Sequence, residues 1–321
     1  IQFIQGLVDN GHAYVVGGDV YYSIPSFADY GKLSKQKLDD LCVGARVEAN
    51  EDKKNPLDFA LWKGEPEGEF WKSPWGWGRP GWAIECSAMA AKHLGKHIDI
   101  HAGGMDLIFP HHENEIAQSE GLYGKNFSNY WMHNAFVRID KEKMSKSLGN
   151  FFTLRDVFEK FDPMVIRYYY LNHYYRAPLD FSFDDIAALQ KSYQKLCRVF
   201  EKYTVSKTDV LRMNQSAIVK QMLLFLNDDL NMPGMLGVLF ENLTALQTNQ
   251  EEAVLVKAFL QNILGLTLQP LPEKEIEITP EIEQLIKYRD AARAAKNWAQ
   301  ADAIRDQLKA LGFEAQDKKK I

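Results

Sequence analysis

The sequence predicts an α/β layer with a parallel sheet, followed by an all-helical part, with the boundary between residues 150 and 185. Three observations lead there. Short apolar strands alternate with short helices through the first half, the pattern that builds a parallel sheet covered by helices. From about Phe152 onward the apolar residues recur at helical spacing in segment after segment. With 321 residues and 46% hydrophobic content, the chain is also long enough to bury two cores.

The elements follow in order. "IQFIQGLVDNGHAYVV" reads as a helix, a turn and a strand already in mid-fold, so an N-terminal piece is expected to be missing. "AYVVGGDVYYSI" reads as a hairpin turned at Gly17-Gly18. The Gly-, Pro- and Trp-rich run "NEDKKNPLDFALWKGEPEGEFWKSPWGWGRPGW" reads as a long ordered loop insertion. "IECSAMAAKHLG" is a helix with small residues on one side, and "HIDIHAGG" is a strand running into glycines. "PHHENEIAQSEGLYG" continues as a helix, with Pro110 at its first position and Gly121 and Gly124 near its end. "YWMHNAFVRID" is two short strands or one bent one.

Beyond Phe152, helices are expected in "LRDVFEKF", "DPMVIRYYYLNHYY", "FDDIAALQKSYQKLCRVFEKYT", "SAIVKQMLLFLNDDL", "MPGMLGVLFENLTALQT" and "EEAVLVKAFLQNILGL". "LPEKEIEITPE" is a polar linker. A helical hairpin, "IEQLIKYRDAARAAKNWAQADAIRDQLKALGF", and the basic tail "DKKKI" close the chain.

Bulk properties exclude several classes. A net charge of −5 gives no global attraction to nucleic acid or an anionic membrane, so any polyanion must meet a local basic patch. Cys42, Cys86 and Cys197 are too few and too scattered for a disulfide framework, which places the chain in a reducing cytoplasm. No apolar run reaches the roughly 18 residues of a membrane span, and the start is not a signal peptide.

Two stretches carry chemistry. In "PHHENE", His111 and Glu115 stand four residues apart and share a helix face, the spacing at which two ligands grip one ion. Cys86 completes a set of thiol, imidazole and carboxylate that Zn²⁺ accepts. The plainer alternative makes Cys86 a small buried hydrophobe and His111 with Glu115 a solvated pair. Trp82, four residues before Cys86, walls such a site or belongs to a core. "KEKMSKSLGN" places two lysines around two serines, which suits a triphosphate or its leaving pyrophosphate; a generic solvated basic loop is the alternative.

Lys143, Met144, Ser145, Lys146 and Ser147 spell the KMSKS loop of class I aminoacyl-tRNA synthetases, continued by Leu148-Gly149-Asn150. Together with "GWAIECSAMAAKHLG", "DIHAGGMDLIFPHHENEIAQSE" and "YWMH", the chain closely resembles the cysteinyl-tRNA synthetases. The resemblance covers most of residues 1 to 200 and continues more weakly into the helical tail. It implies residues 1–150 as the second part of a class I Rossmann-like catalytic domain, with a connective insertion at about 13–80. Residues 151–200 become KMSKS-adjacent stem-contact helices, and 201–321 a helical-bundle domain on the tRNA and anticodon side.

The resemblance also implies roles. One zinc ion per chain is held by Cys86, His111 and Glu115, with a further cysteine from an N-terminal segment, and it selects the substrate thiol. Trp82 and His101 line the cysteine pocket. His112 either orients ligands or substrate from behind or is simply solvated. Gly103-Gly104 with Asp106 approach the adenosine, and Lys146, with Lys143, contacts ATP, which brings Mg²⁺. The reaction implied is activation of cysteine to its adenylate and transfer to tRNA-Cys by a cytoplasmic enzyme, expected to be a monomer with no membrane contact.

Three departures qualify this. The family's His-Ile-Gly-His motif occurs nowhere in the 321 residues, and neither does the N-terminal zinc cysteine. Cys42 lies in "LDDLCVGARV", a different region. The chain alone is therefore expected to hold zinc weakly and to be inactive in adenylate formation, which a robust ATP–pyrophosphate exchange rate would contradict. Ala83 stands where many relatives have histidine. The tail ends in "GFEAQDKKKI", which leaves little for an anticodon-reading module.

Competing readings are a cysteine ligase of thiol biosynthesis, using the same zinc and adenylate but passing cysteine to an amino sugar, a zinc hydrolase, and a noncatalytic tRNA-binding relic. The hydrolase lacks a motif for a nearby general base. A relic would have lost KMSKS and the zinc positions, and both are intact.

Overall fold

The computed structural model describes residues 1–37, 52–139, 142–143, 152–271 and 279–311. It divides into two compact units, Ile1–Leu268 and Gln269–Ile321.

The first unit opens with helix α1 (Gln2–Asp9), which buries Ile4 and Leu7. Strands β1 (Ala13–Val16) and β2 (Asp19–Tyr22) form the expected hairpin, with Gly17 and Gly18 both at positive φ, the conformation a two-residue hairpin turn demands. The Gly/Pro/Trp-rich run corrects the expectation of a loop. Within it lie β3 (Phe59–Gly64), β4 (Trp71–Ser73) and β5 (Gly76–Pro80). They join the hairpin in one antiparallel sheet of order β1-β2-β3-β5-β4. The glycines permit this pairing rather than breaking it: a Cβ on Gly78 would sit 2.2 Å from the Lys63 carbonyl oxygen across the ladder.

Helix α2 (Trp82–His93) follows, then strand β6 (Ile98–Gly104). The "PHH" segment departs from a simple helix start. Phe109 is extended (φ −136°, ψ 132°) inside a wide π turn over Ile108–His112, and helix α3 proper runs Glu113–Tyr123. Pro110 therefore sits in the turn rather than at the first α-helical position. Gly124, left-handed at φ 63°, closes α3, as a helix C-terminus favours. "YWMHNAFVRID" resolves into β7 (Ser128–Asn134) and β8 (Val137–Ile139), with β9 (Glu142–Lys143) after them. β7 pairs parallel with β6, the sheet the strand–helix alternation predicts.

The helical run comprises α4 (Leu154–Phe158), α5 (Pro163–Leu171), α6 (Phe183–Phe200), α7 (Lys207–Arg212), α8 (Ala217–Leu226), α9 (Met232–Glu241), α10 (Leu243–Thr248) and α11 (Gln250–Asn262). Helix α7 was not anticipated, and the single helix expected over "MPGMLGVLFENLTALQT" breaks at Asn242. Strand β10 (Leu179–Phe181) pairs parallel with β8, which pairs antiparallel with β9. Capping is by sequence: Thr153 with Asp156 and Ser206 with Asp209 form capping boxes. The second unit is the expected hairpin, α12 (Pro280–Ala294) and α13 (Trp298–Ala310), around Ile282, Ile304 and Leu308.

Two clusters seat the site. Ile4, Leu7, Val20, Tyr22, Leu61, Ile84 and Ala117 join α1, the antiparallel sheet, α2 and α3. Ala90, Ile98, Ile116 and Phe127 join α2 and α3 to the parallel strands. Helix α3 is thus enclosed on every side.

Candidate metal and active site

Enclosure explains the unusual composition of α3. Its residues Glu113 to Ser119 are all buried, and five of the seven are polar. Buried polar groups are costly unless paired. Glu113 accepts from the Gly31 and Ser34 amides at 3.0 and 2.5 Å, and Asn114 accepts from the Tyr30 hydroxyl at 2.5 Å. Gln118 accepts from Ser87 on α2 at 2.6 Å. That last bond joins the neighbour of Cys86 to the helix that carries Glu115.

Gln118 Nε2 and Ser119 Oγ lack a partner, and so do both oxygens of Glu115, the one charged group among them. Glu115 is 0% exposed. One oxygen lies 3.0 Å from His111 Nε2 and the other 2.9 Å from His101 Nε2, yet neither is in line for a hydrogen bond from those rings or any other donor among the described residues. Close, misaligned donors around a buried carboxylate are what a shared ligand point produces, because each lone pair is aimed at the point rather than at its neighbour. Ligand atoms of Cys86, His111 and Glu115 lie within 4.8 Å of one another. The alternative of a solvated His111–Glu115 pair is thereby corrected, since both are buried. The Cys86 thiol is pushed up by burial, then by the Glu115 and Glu85 charges; a bound cation would reverse that balance. The donor set fits zinc: one soft sulfur, one imidazole and one carboxylate.

Glu115 also belongs to a second set, with His101 and His112, whose ligand atoms lie equally close. His112 is 2% exposed, so the solvated alternative for it is overturned. Its Nδ1 meets His133 Nε2 at 2.8 Å, and its imidazolium is disfavoured, with the pKa lowered to about 3 by burial first and then by His101, His133 and His111. Gly103 makes room for that ring: a Cβ there would lie 2.9 Å from His112 Cε1. His133 carries no role in the sequence reading. The motif "YWMH" was the available signal, but its contact with His112 depends on the β6–β7 register, which sets Gly103 beside His133.

Trp82 sets its ring 4.5 Å from that of His111, tilted at 48°, while remaining 68% exposed, a wall rather than a core residue. His101 is flanked by Trp131 and Phe127 at 5.0 and 5.3 Å. Ala83 is buried on α2. Gly104 precedes the turn that carries Asp106, whose carboxylate occupies the space a Gly104 Cβ would need. Lys143 ends β9, while Met144, Ser145, Lys146 and Ser147 lie outside the described residues, as does Cys42.

Comparison with known proteins adds an independent line. The model for the tRNA synthetases class I (C) catalytic domain matches residues 1–191. The chain belongs to the cysteine–tRNA ligases. The ligase from Caldicellulosiruptor saccharolyticus is 47% identical over 98% of this chain and 71% of its own length. That from Methylobacillus flagellatus is 49% identical over 99% of this chain and 71% of its own. The model for the cysteinyl-tRNA ligase anticodon binding domain matches residues 276–321, which corrects the expectation that the tail leaves little for such a module. A solved methionyl-tRNA synthetase from Mycobacterium tuberculosis, bound by methionyl-adenylate, superposes with a TM-score of 0.54. It covers 83% of this chain and 72% of that one at 11% identity, a likeness of fold. Among the described residues of this ligase, no helix is long and apolar enough to cross a membrane.

Proposed function

We propose that this chain carries the amino-acid pocket of a cysteine–tRNA ligase in which Cys86, His111 and Glu115 hold one zinc ion that reads the substrate thiol. The observation that carries the reading is the buried Glu115 carboxylate, unpartnered yet within 3.0 Å of two imidazoles. Zinc held by these three residues would supply a soft site for the substrate sulfur and so separate cysteine from its near-isostere serine, which shape alone would reject by only about 1–3 kcal/mol.

The chain's own residues do the rest. Trp82 walls the pocket beside His111, and His101 stands on the other side of Glu115. Asp106, with Gly104 before it, receives the ribose of ATP. Lys146, with Lys143, neutralises the phosphates and the pyrophosphate that leaves as the cysteine carboxylate attacks, while Mg²⁺ arrives with ATP. Their share is positioning and charge neutralisation. The acceptor is tRNA-Cys, with residues 201–321 on the anticodon side, and the enzyme works in the cytoplasm as a monomer. The match of residues 276–321 to an anticodon binding domain supports tRNA over an amino sugar as acceptor.

Calorimetric titration of the zinc-loaded chain with cysteine and serine tests the pocket. Cysteine should bind at least roughly a hundredfold more tightly, and chelation should erase the difference. Equal affinities would overturn the zinc reading, and binding of an amino sugar in place of tRNA-Cys would favour the thiol-biosynthesis alternative.

A further inference from the structure

The turn between α8 and α9 is built oddly. Asp229 and Leu230 both adopt left-handed backbone, with φ of 50° and 55°, a conformation that non-glycine residues rarely enter, and seldom twice in a row. An ordinary connection between two helices does not require it. The conformation aims one carboxylate at three consecutive residues after α5. Tyr174 and Tyr175 donate their hydroxyls to Asp229, the latter at 2.8 Å. The Arg176 guanidinium pairs with it at 2.8 Å and stacks over the Tyr175 ring.

The captured segment is stitched to the strands beside the metal-ligand cluster. The Ala135 amide donates to the Tyr175 carbonyl at 2.8 Å, and the Leu179 amide to the Phe136 carbonyl at 3.0 Å. The β10–β8 ladder continues this, setting Leu179 against Val137 and Phe181 against Ile139, and Arg138 donates to Asp180 at 3.0 Å. β8 in turn holds β9, with Arg138 opposite Lys143. At the other end, His133 is tied to His112. Residues 133–139 are therefore held at one end by the His112 contact and along β8 by a segment whose anchor is Asp229, and β9 (142–143) pairs with them.

We propose that Asp229 is a positioning residue for the nucleotide half of the site, holding Tyr174, Tyr175 and Arg176 so that the paired strands β8 and β9 keep the Lys143 backbone in register with the metal-ligand cluster. A lone exposed ion pair adds little to stability, but three donors converging on one carboxylate fix a geometry, and small displacements of a phosphate-binding strand are costly to nucleotide binding. The inference rests on the reading that the segment entered by β9 meets ATP.

The test uses the full chain with D229A and the milder Y175F. Amide exchange at Ala135 and Leu179 should accelerate roughly tenfold in D229A and less in Y175F. ATP affinity should fall roughly three- to tenfold, while zinc content and cysteine affinity stay at wild-type values. D229N, which keeps the shape and tolerates left-handed backbone, should fall between wild type and D229A. Unchanged exchange at both amides would overturn the proposal. So would parallel losses of zinc, cysteine and ATP binding, which mark general destabilisation. If the wild-type chain itself binds no ATP, the nucleotide reading fails, and the exchange measurement alone then decides whether Asp229 positions these strands.

Discussion

The two sides of Glu115 use the same carboxylate differently. Toward Cys86 and His111, one oxygen meets an imidazole at 3.0 Å, with a thiol completing the set and an exposed indole as the outer wall. Toward His101 and His112, the other oxygen meets an imidazole at 2.9 Å, but the neighbours are rings packed on rings: Trp131, Phe127 and His133. Distance alone does not tell the sides apart. Donor chemistry does, because only the first offers a sulfur, the donor a borderline-soft ion such as zinc accepts. On the second side, burial disfavours the charged form of His112 and of His133. A ligand set is therefore recognised by what its atoms prefer, and a supporting shell by how fully its atoms are already engaged.

The largest expected effect removes the shared carboxylate. E115Q should lower zinc affinity by at least roughly a hundredfold, measured by competition with a chromophoric chelator. The two sides then separate. In the cobalt-substituted protein, C86S should abolish the thiolate-to-metal absorption band, while H101N should retain it; a cobalt protein with no such band, whose metal affinity falls in H101N and not in C86S, would exchange the roles assigned here.

Acid should act on both sides, by different routes. Zinc must displace the Cys86 proton, whose pKa is raised by burial, so apparent zinc affinity should fall steadily as pH is lowered. In the metal-free protein, His112 titrates at about 3 when folded against 6.5 as an ordinary histidine. The unfolded chain then binds the extra proton, so the stability this group contributes is present above about 6.5 and lost as pH falls toward about 3. Urea unfolding across that range should show it, and a H112N variant should flatten the slope.

The smallest effect concerns the tether between the two ligand helices. S87A removes the bond to Gln118, whose Nε2 already lacks a partner. It should cost about 1–2 kcal/mol of stability in denaturant unfolding and weaken zinc binding a few-fold at most.

How much of this could be read from the sequence varied with how local the signal was. Cys86, His111 and Glu115 stood out through residue type and the four-residue spacing on one helix. The helices after residue 153 announced themselves by the helical period of their apolar residues. The antiparallel strands within residues 59–80 were hidden because their glycines, which allow close backbone approach, read as loop residues when no partner strand is known. His133 was hidden for another reason. It reaches His112 only once β6 and β7 pair in parallel, which joins positions some thirty residues apart in the chain. The latch at Asp229 was equally silent, since a left-handed Asp-Leu pair has no signature in sequence. The wide π turn at 108–112 was read as a plain helix start.

X-ray absorption at the zinc edge of the metal-loaded chain tests the central claim most directly. The account predicts one zinc per chain with a sulfur scatterer at about 2.3 Å and nitrogen or oxygen at about 2.0–2.2 Å, the sulfur vanishing in C86S. A zinc bound by nitrogen and oxygen alone, unaffected by that substitution, would place the ion on the histidine side and contradict it.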